Sequence, residues 1–188
     1  VNVQYMANSL AEVKQIAMYM ERSDTSFRFA YSLPRYASGQ TYEIGFPEGR
    51  DVVIEPTHLS GKYGIEKFPF EQPEEVISIH RRILNEPSDQ ILGILSIDVK
   101  TNVIREICEM LAFPGEQLLL VDRSGAAVYA TETADGGGTP PWLADILARS
   151  DASGYIEYAD SVFSGIHLYQ SVSAPYAEWM LVKRVPYD

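Results

Sequence analysis

Apolar side chains recur at helical spacing over the first part of the chain. Steps of mainly three and four residues separate them, and no Pro or Gly interrupts the segment before Ser23. This spacing places the apolar residues on one face of an α-helix and Gln4, Asn8 and Glu12 on the other. The pattern therefore predicts a long amphipathic helix over residues 1–22, with the stripe Val3, Met6, Leu10, Val13, Ile16, Ala17 and Met20.

Short strand-like segments and long loops follow this predicted helix. Residues 26–33 alternate as a strand does, whereas residues 34–70 are crowded with Gly, Pro and aromatic side chains. Within that stretch only residues 42–46 and 51–54 have the pattern of a strand. A loop-rich insertion on a rigid scaffold is a common place for binding groups.

Two stronger strands lie near the middle of the chain. Residues 75–84 alternate between apolar and polar positions, and residues 91–99 are rich in Ile and Leu. The segment between them, Asn85 to Asp89, has the composition of a turn. The two strands are therefore predicted to pair.

The second half of the chain alternates helices with strands. Asp98 or Thr101 is predicted to cap a helix that ends near Ala112 and buries Val103, Ile104, Ile107 and Leu111. A polar turn at 122–125 predicts a hairpin, and Thr139 followed by Pro140 predicts a helix start. The predicted strands of this half are 117–121, 126–131, 154–158, 164–173 and 179–185.

This order of elements predicts an α+β fold with PAS-like antiparallel sheets and a long N-terminal helix. The helix occupies residues 1–22. A short, loop-rich distal subdomain follows at 23–99, and a proximal subdomain occupies 100–188.

Composition and charge narrow the range of functions. Hydrophobic residues make up 46% of the 188 positions, as in a folded globular protein. The formal net charge of −11 repels a phosphate backbone, and no Lys/Arg cluster offsets it. Nucleic acid is therefore not expected as a partner.

The chain carries no pattern typical of catalysis or of metal binding. Cys108 is the single cysteine, and His58, His80 and His167 are too far apart in sequence for a metal motif. No Gly-x-Ser-x-Gly elbow or phosphate-binding loop is present. A pair such as Glu55 and Glu75 is the one enzymatic alternative, as a glycosidase dyad. We expect a fragment without enzymatic activity, cofactor or metal.

Four blocks of sequence, beginning with VISIHRRI and ILGILSIDVKTNVIREI and continuing with LLLVDRSGAAVYA and SAPYAEWMLVKRVP, resemble the double Cache domain. This is the tandem PAS-like extracytoplasmic sensor of membrane histidine kinases, and the likeness is nearest to kinases that control carbohydrate uptake. It is carried mainly by residues 76–188. It implies that Gly93 to Asp98 closes the distal subdomain, Thr101 to Leu111 enters the proximal one, and Trp179 to Pro186 leads to a membrane span.

The resemblance implies an extracytoplasmic domain, held at the cell membrane by flanking segments, that binds a small molecule such as a sugar and signals across the membrane. Tyrosine rings stack on sugars, and arginine binds hydroxyl or carboxylate groups. The amino-acid-binding Tyr/Arg/Trp/Asp motif is not intact between Tyr31 and Ile65. The candidate ligand-binding residues are Tyr31, Arg35, Tyr36, Tyr42, His80 and Arg82.

Two other functions remain open at this stage. In one, the domain binds no small molecule and docks a solute-binding protein or the second copy of a homodimer through exposed aromatic residues. In the other, it is a cytoplasmic PAS or GAF module that holds a cofactor. The absence of cofactor ligands in the sequence disfavours this last alternative.

Overall fold

The computed structural model describes residues 11–30, 33–38, 44–60, 69–131, 139–174 and 176–187. The chain divides into two compact units, unit 1 at Val1–Thr101 and unit 2 at Asn102–Asp188. Each unit contains an antiparallel sheet. Among the described residues, no helix has both the length and the apolar character needed to cross a membrane.

Unit 1 is built on a six-stranded sheet in the order β3-β2-β1-β6-β5-β4. Every pair of neighbouring strands is antiparallel. A short 3-10 turn, Glu21–Ser23, connects the first two strands. The strands are β1 (Val13–Met20), β2 (Thr25–Ala30), β3 (Leu33–Ser38), β4 (Val52–Leu59), β5 (Glu75–Asn85) and β6 (Gln90–Lys100).

The segment Val13–Met20 is a strand, so the predicted N-terminal helix is wrong there. Residues 11 and 12 form a turn and residues 21 and 22 belong to the 3-10 turn, so they are not helical as predicted either. Residues 1–10 lie outside the described part of the chain. The segment also fits a period of two, with Ile16 and Met18 on one face and Gln15 and Tyr19 on the other. Hydrogen bonding to both β2 and β6 decides between the two periods, because tertiary pairing overrides a local helical pattern.

The predicted pairing of the two middle strands is confirmed, since β5 and β6 are antiparallel and Ser78 lies opposite Asp98. The strand predicted over 26–33 is confirmed at residues 26–30, which lie in β2, whereas Leu33 begins β3 and residues 31 and 32 lie outside the described residues. Residues 44–46 form no strand, and residues 42 and 43 lie outside the described residues. The strand predicted at 51–54 extends to Leu59.

Unit 2 contains a five-stranded sheet in the order β8-β7-β11-β10-β9. The order β2-β1-β6-β5-β4 of unit 1 repeats this connectivity, with β3 added at the edge. The predicted 117–131 hairpin is confirmed, and Gly125 has the positive φ of 86° that its turn requires. The elements are α1 (Asn102–Leu111), β7 (Gln117–Asp122), β8 (Ala127–Ala130), α2 (Pro141–Leu147), β9 (Ser153–Ala159), β10 (Ser164–Ala174) and β11 (Ala177–Pro186).

The core of unit 2 lies between α2 and one face of the sheet. Trp142, Leu143 and Ile146 of the helix pack with Val121, Tyr169, Met180 and Val182. All seven side chains are at most 7% exposed. Burial of this apolar area is the main stabilising contribution to the unit.

Two details predicted for the first helix of unit 2 need correction. Of the two residues predicted to cap it, Asp98 lies inside β6 and is fully buried, whereas Thr101 immediately precedes the first helical residue, Asn102. The buried stripe also differs from the prediction: Cys108 is the buried residue of α1, while Ile107 and Leu111 are each 49% exposed. The antiparallel sheets with few helices are consistent with the predicted PAS-like class.

Candidate functional site

One face of the unit 1 sheet is polar across five of its strands. Directly paired residues of antiparallel strands share a face, so the register assigns side chains to faces without ambiguity. Three rows of paired residues make up this polar face. They are Gln15, Asp98, Ser78 and Glu55; then Arg28, Ala17, Ser96 and His80; then Ser26, Tyr19, Ile94 and Arg82.

A chain of buried hydrogen bonds begins at Glu71. Its carboxylate forms an ion pair with Nη2 of Arg28, and Nε of Arg28 donates to Oε1 of Gln15 at 2.5 Å. The amide nitrogen of Gln15 donates to Oδ2 of Asp98. Arg28 and Gln15 are each 1% exposed and Asp98 is 0% exposed, so these bonds form in a nearly water-free interior.

The same series of hydrogen bonds continues along this face toward β4, at one edge of the sheet. The Ser78 hydroxyl donates to Oδ1 of Asp98 at 2.6 Å and lies 3.2 Å from Nε2 of His58. Nδ1 of His58 donates to the Pro56 carbonyl oxygen at 2.7 Å. Glu55 is within ion-pair distance of two histidines. Its carboxylate lies 3.6 Å from Nε2 of His58 and 3.1 Å from Nε2 of His80, which continues the hydrogen-bonded network.

His80 is also buried within this network. Its Nδ1 lies 2.6 Å from the Ser96 hydroxyl, and its side chain is 1% exposed. Glu55, by contrast, is 47% exposed and His58 is 25% exposed. The network therefore runs from a buried Arg28 to groups that solvent reaches near β4.

This amount of buried polarity is unusual for a sheet face that only supports a core. Burying charge is unfavourable unless hydrogen bonds replace the lost water. Within the described residues, Ser26 Oγ and Nη1 of Arg28 have no hydrogen-bond partner. The arrangement fits a face that contacts polar groups rather than apolar side chains.

A small pocket lies at the Tyr19–Arg82 row of the polar face. Its volume is about 270 Å³, just below the ~300–1,000 Å³ typical of ligand sites. The guanidinium of Arg82 lies 4.5 Å above the Phe46 ring, and its Nη1 is 3.7 Å from Asp51. The lining residues are Tyr19, Glu21, Ile44, Phe46, Arg82, Ile91, Gly93 and Ile94.

Tyr19 presents a hydroxyl beside this pocket. The hydroxyl donates to Oδ1 of Asp24 at 3.1 Å. Desolvation, followed by this hydrogen bond and the charge of Asp24, raises the pKa of Tyr19 above its ordinary value. The phenol therefore stays protonated at neutral pH and can act as donor and acceptor.

The structure brings two of the six predicted ligand-binding residues onto the polar face. His80 is in the buried network and Arg82 lines the pocket, while the neighbouring Arg81 is exposed and lies on the opposite face. Tyr31 and Tyr42 lie outside the described residues. Arg35 and Tyr36 are in β3, where their backbones pair with Arg28 and Phe27, and their side chains lie outside the description.

Sequence reasoning missed Gln15, Tyr19, Arg28, Phe46 and Asp98. The first two were hidden by the assignment of residues 1–22 to a helix. A usable pattern was present for Arg28 and Asp98: Arg28 interrupts an apolar strand two residues after Ser26, and Asp98 interrupts ILGILSIDV two residues after Ser96. Polar residues at a spacing of two in apolar strands indicate a polar face.

Comparison with known proteins relates the fold to sensory domains. No family model and no curated protein sequence matches the chain. Among solved structures, methyl-accepting chemotaxis protein X is similar with a TM-score of 0.69 at 13% identity, over 98% of this chain and 78% of that one. The periplasmic sensory domain of the Campylobacter jejuni chemoreceptor Tlp1 has a TM-score of 0.64 at 10% identity, over 98% and 76%.

A third similar structure is the extracellular domain of rpHK1S-Z16, a protein classed as a histidine kinase. Its TM-score is 0.65 at 14% identity, over 97% of this chain and 74% of that one. The chain thus has the fold of the periplasmic and extracellular sensory domains of chemoreceptors and histidine kinases, which confirms the predicted Cache-like sensory fold.

Proposed function

We propose that this chain is the extracytoplasmic sensor domain of a membrane receptor, and that unit 1 binds a small polar molecule on its polar face. The observation that carries the proposal is the position of the pocket. Arg82, Phe46 and Tyr19 surround it, and the buried Arg28–His80 network occupies the adjacent rows of the same face. A shared fold with sensory domains supports the same function.

The pocket chemistry favours a ligand with several hydroxyl groups. Tyr19 and Arg82 supply donors, Glu21 supplies an acceptor, and the Phe46 ring supplies a flat apolar surface. Sugars combine polar edges with apolar ring faces, so they are the first ligand class proposed. Amino acids are the second class, because a solved Campylobacter jejuni Tlp3 sensory domain, similar to this chain with a TM-score of 0.54, contains isoleucine.

The receptor proposed is a two-component histidine kinase of the carbohydrate-regulating type, with this chain as a double Cache sensor that has no enzymatic activity. The sequence blocks that resemble this family support it, and so does the repeated strand order in the two units. Flanking segments would hold the domain at the membrane. Ligand binding would bias the position of the β11 exit strand, and such coupling is typically about 1–3 kcal/mol.

A thermal-shift screen of the purified chain against sugars, oligosaccharides, organic acids and amino acids tests this proposal. A ligand at about 100 times its Kd stabilises by about 2.7 kcal/mol, which raises Tm by several degrees for a chain of this size. Arg82→Gln should abolish the shift. Arg81→Gln is the matched control, because Arg81 is the adjacent arginine on the opposite face. A shift that Arg82→Gln leaves intact would place the ligand elsewhere.

A docking module is the second candidate function, with a solute-binding protein or a second copy of the chain as partner. Two exposed apolar residues of unit 1 favour it: Leu59 is 64% exposed and Phe70 is 63% exposed. A silent ligand screen, together with self-association or solute-binding-protein binding that Leu59→Ser weakens, would support docking. The Arg82→Gln variant should then bind the partner normally.

A further inference from the structure

A second cavity lies within unit 2, at the sheet face that packs against α2. Its volume is about 840 Å³, within the range typical of small-molecule sites. Ala127 and Ala130 of the edge strand β8 line it, and Ala127 pairs directly with the buried core residue Val121 of β7. Trp142 and Leu143 of α2 line it as well. Short side chains on β8, beside large ones on α2, leave this space open.

An exposed apolar side chain belongs to the same cavity. Val162 lines it and is 92% exposed, more than any other large apolar side chain in the described part of the chain. Oδ1 of Asp160 accepts hydrogen bonds from the backbone nitrogens of Val162 at 2.7 Å and Phe163 at 2.8 Å, which fixes the turn that holds this side chain in solvent. A ligand that covers Val162 removes apolar surface from water, which is favourable.

Two hydroxyl groups of the lining already have partners within the protein. The Ser124 hydroxyl donates to Oδ1 of Asp122 at 2.6 Å. The Thr131 hydroxyl accepts from the backbone nitrogen of Leu118 at 3.0 Å and lies 3.3 Å from the carbonyl oxygen of the same residue. Most of the other described lining residues are apolar. A ligand rich in hydroxyl groups would therefore lose bound water here without regaining all its hydrogen bonds.

Arg184 is the one charged side chain among the described residues that line the cavity. Its Nε donates to Nε2 of His167 at 3.1 Å, and its Nη1 donates to Oε1 of Gln117 at 2.5 Å. Its Cζ also lies 4.2 Å above the Phe163 ring. Because the guanidinium already makes these contacts within the protein, the affinity for a ligand is assigned to the apolar lining and not to this charge.

We propose that the unit 2 cavity binds a small uncharged molecule that is mainly hydrocarbon. Trp142, Val162 and the alanines of β8 supply the contact surface. Each CH₂ group that moves from water into such a site raises the affinity about fourfold. The site lies in the other unit from the pocket around Arg82 and takes a different class of ligand, so it goes beyond the function proposed above.

The tryptophans of the chain make this site directly observable. Trp142 lines the cavity and Trp179 lies on β11, so Trp179→Phe leaves Trp142 as the single indole. Titration of this variant with 1-butanol, 1-pentanol and 1-hexanol should change its fluorescence saturably, with affinity rising about fourfold per added CH₂. Hexanoate should bind at least about tenfold more weakly than 1-hexanol, because its charge must be desolvated. Calorimetry of the same titrations detects binding that leaves the indole unaffected.

Substitutions in the single-tryptophan chain complete the test. Ala127→Phe should weaken 1-hexanol binding at least about tenfold, because the larger side chain fills the cavity. Ala152→Phe is the matched control, since Ala152 is an exposed alanine of the same unit that does not line the cavity. Val162→Ser should weaken binding at least about threefold and leave the fold intact, because Val162 is exposed. Each variant is first shown to melt cooperatively.

Four outcomes would overturn the proposal. The first two are the absence of saturable binding of 1-hexanol at millimolar concentration by both methods, and an affinity that does not rise with chain length. The others are hexanoate binding as tight as that of 1-hexanol, and 1-hexanol binding that neither Ala127→Phe nor Val162→Ser weakens. Arg82→Gln should leave the 1-hexanol titration unchanged, since Arg82 lines the pocket of unit 1. This comparison separates a failure of the unit 2 site from a failure of the ligand site proposed in unit 1.

Discussion

Gln15 joins a buried cation to a buried carboxylate. Its Oε1 accepts from Nε of Arg28 at 2.5 Å, and both side chains are only 1% exposed. The other end of the same amide donates to Asp98. An amide suits this position because it accepts at one end and donates at the other. One neutral side chain therefore connects the cation of Arg28 to the carboxylate of Asp98 on the polar face.

The first prediction concerns this link. Gln15→Leu removes both hydrogen bonds and leaves Nε of Arg28 and Oδ2 of Asp98 buried without the Gln15 amide. It should therefore lower the free energy of unfolding by about 2–5 kcal/mol. Urea unfolding measures the change. Gln90→Leu is the matched control at an exposed position of β6 and should change stability by less than about 0.5 kcal/mol. Equal effects of the two substitutions would contradict a structural role for Gln15.

The second prediction concerns the close approach of β1 and β6. A Cβ at Gly93 would lie 2.0 Å from the backbone oxygen of Tyr19. Gly93→Ala should therefore shift the strands apart and lower the free energy of unfolding by about 1–3 kcal/mol. Gly45→Ala is the control, because a Cβ there meets nothing within 4 Å. Wild-type stability of Gly93→Ala would show that the two strands separate more easily than the structure indicates.

The third prediction is a pH dependence caused by His167. The folded-state pKa of His167 is lowered from 6.5 to about 4, so the unfolded state binds the proton first as the pH falls. Stability is therefore full above about pH 6.5 and decreases toward pH 4, by up to about 3 kcal/mol. Nε2 of His167 accepts a hydrogen bond from Nε of Arg184 at 3.1 Å. His167→Gln, which keeps an acceptor at this position, should flatten this part of the curve.

Urea unfolding of both proteins at closely spaced pH values measures the difference between them. Taking this difference removes the contribution of carboxylates that titrate in the same range. NMR of the His167 ring provides an independent check, since it should remain neutral at pH 5.5. A ring that protonates near pH 6.5 would refute the prediction.

The fourth prediction compares two isoleucines on the helices of unit 2. Ile146 of α2 is 0% exposed in the core, and Ile107 of α1 is 49% exposed. Ile146→Ala should lower the free energy of unfolding by about 2–5 kcal/mol, because it removes buried methyl groups and leaves a cavity. Ile107→Ala should cost less than about 1 kcal/mol. Denaturant unfolding followed by circular dichroism distinguishes them.

Local pattern was sufficient for most of the secondary structure. The 85–89 turn joins β5 and β6 as predicted, and the 122–125 turn joins β7 and β8. These elements were predictable because each strand pairs with the next strand in sequence through a short polar turn. The assignment failed at Val13–Met20, where the same residues fit both a helical and a strand period.

The candidate site was predictable only in part, for a related reason. His80 and Arg82 were identified from residue type and position on a predicted strand. Their partners were not, because the network joins residues far apart in sequence: Gln15 and Asp98, which share a hydrogen bond, are 83 positions apart. No local pattern indicates such a pair.

The sequence by itself determined the alternation of strands, turns and helices in residues 75–187, since hydrophobic period and turn residues act over short distances. It also determined the acidic charge and the single cysteine. Only the tertiary structure decided that Val13–Met20 is a strand, because its partners β2 and β6 supply the hydrogen bonds that a helix would make within itself. The same pairing aligns Arg28, Gln15, Asp98 and His80 on one face, where their burial and mutual distances depend on strand register.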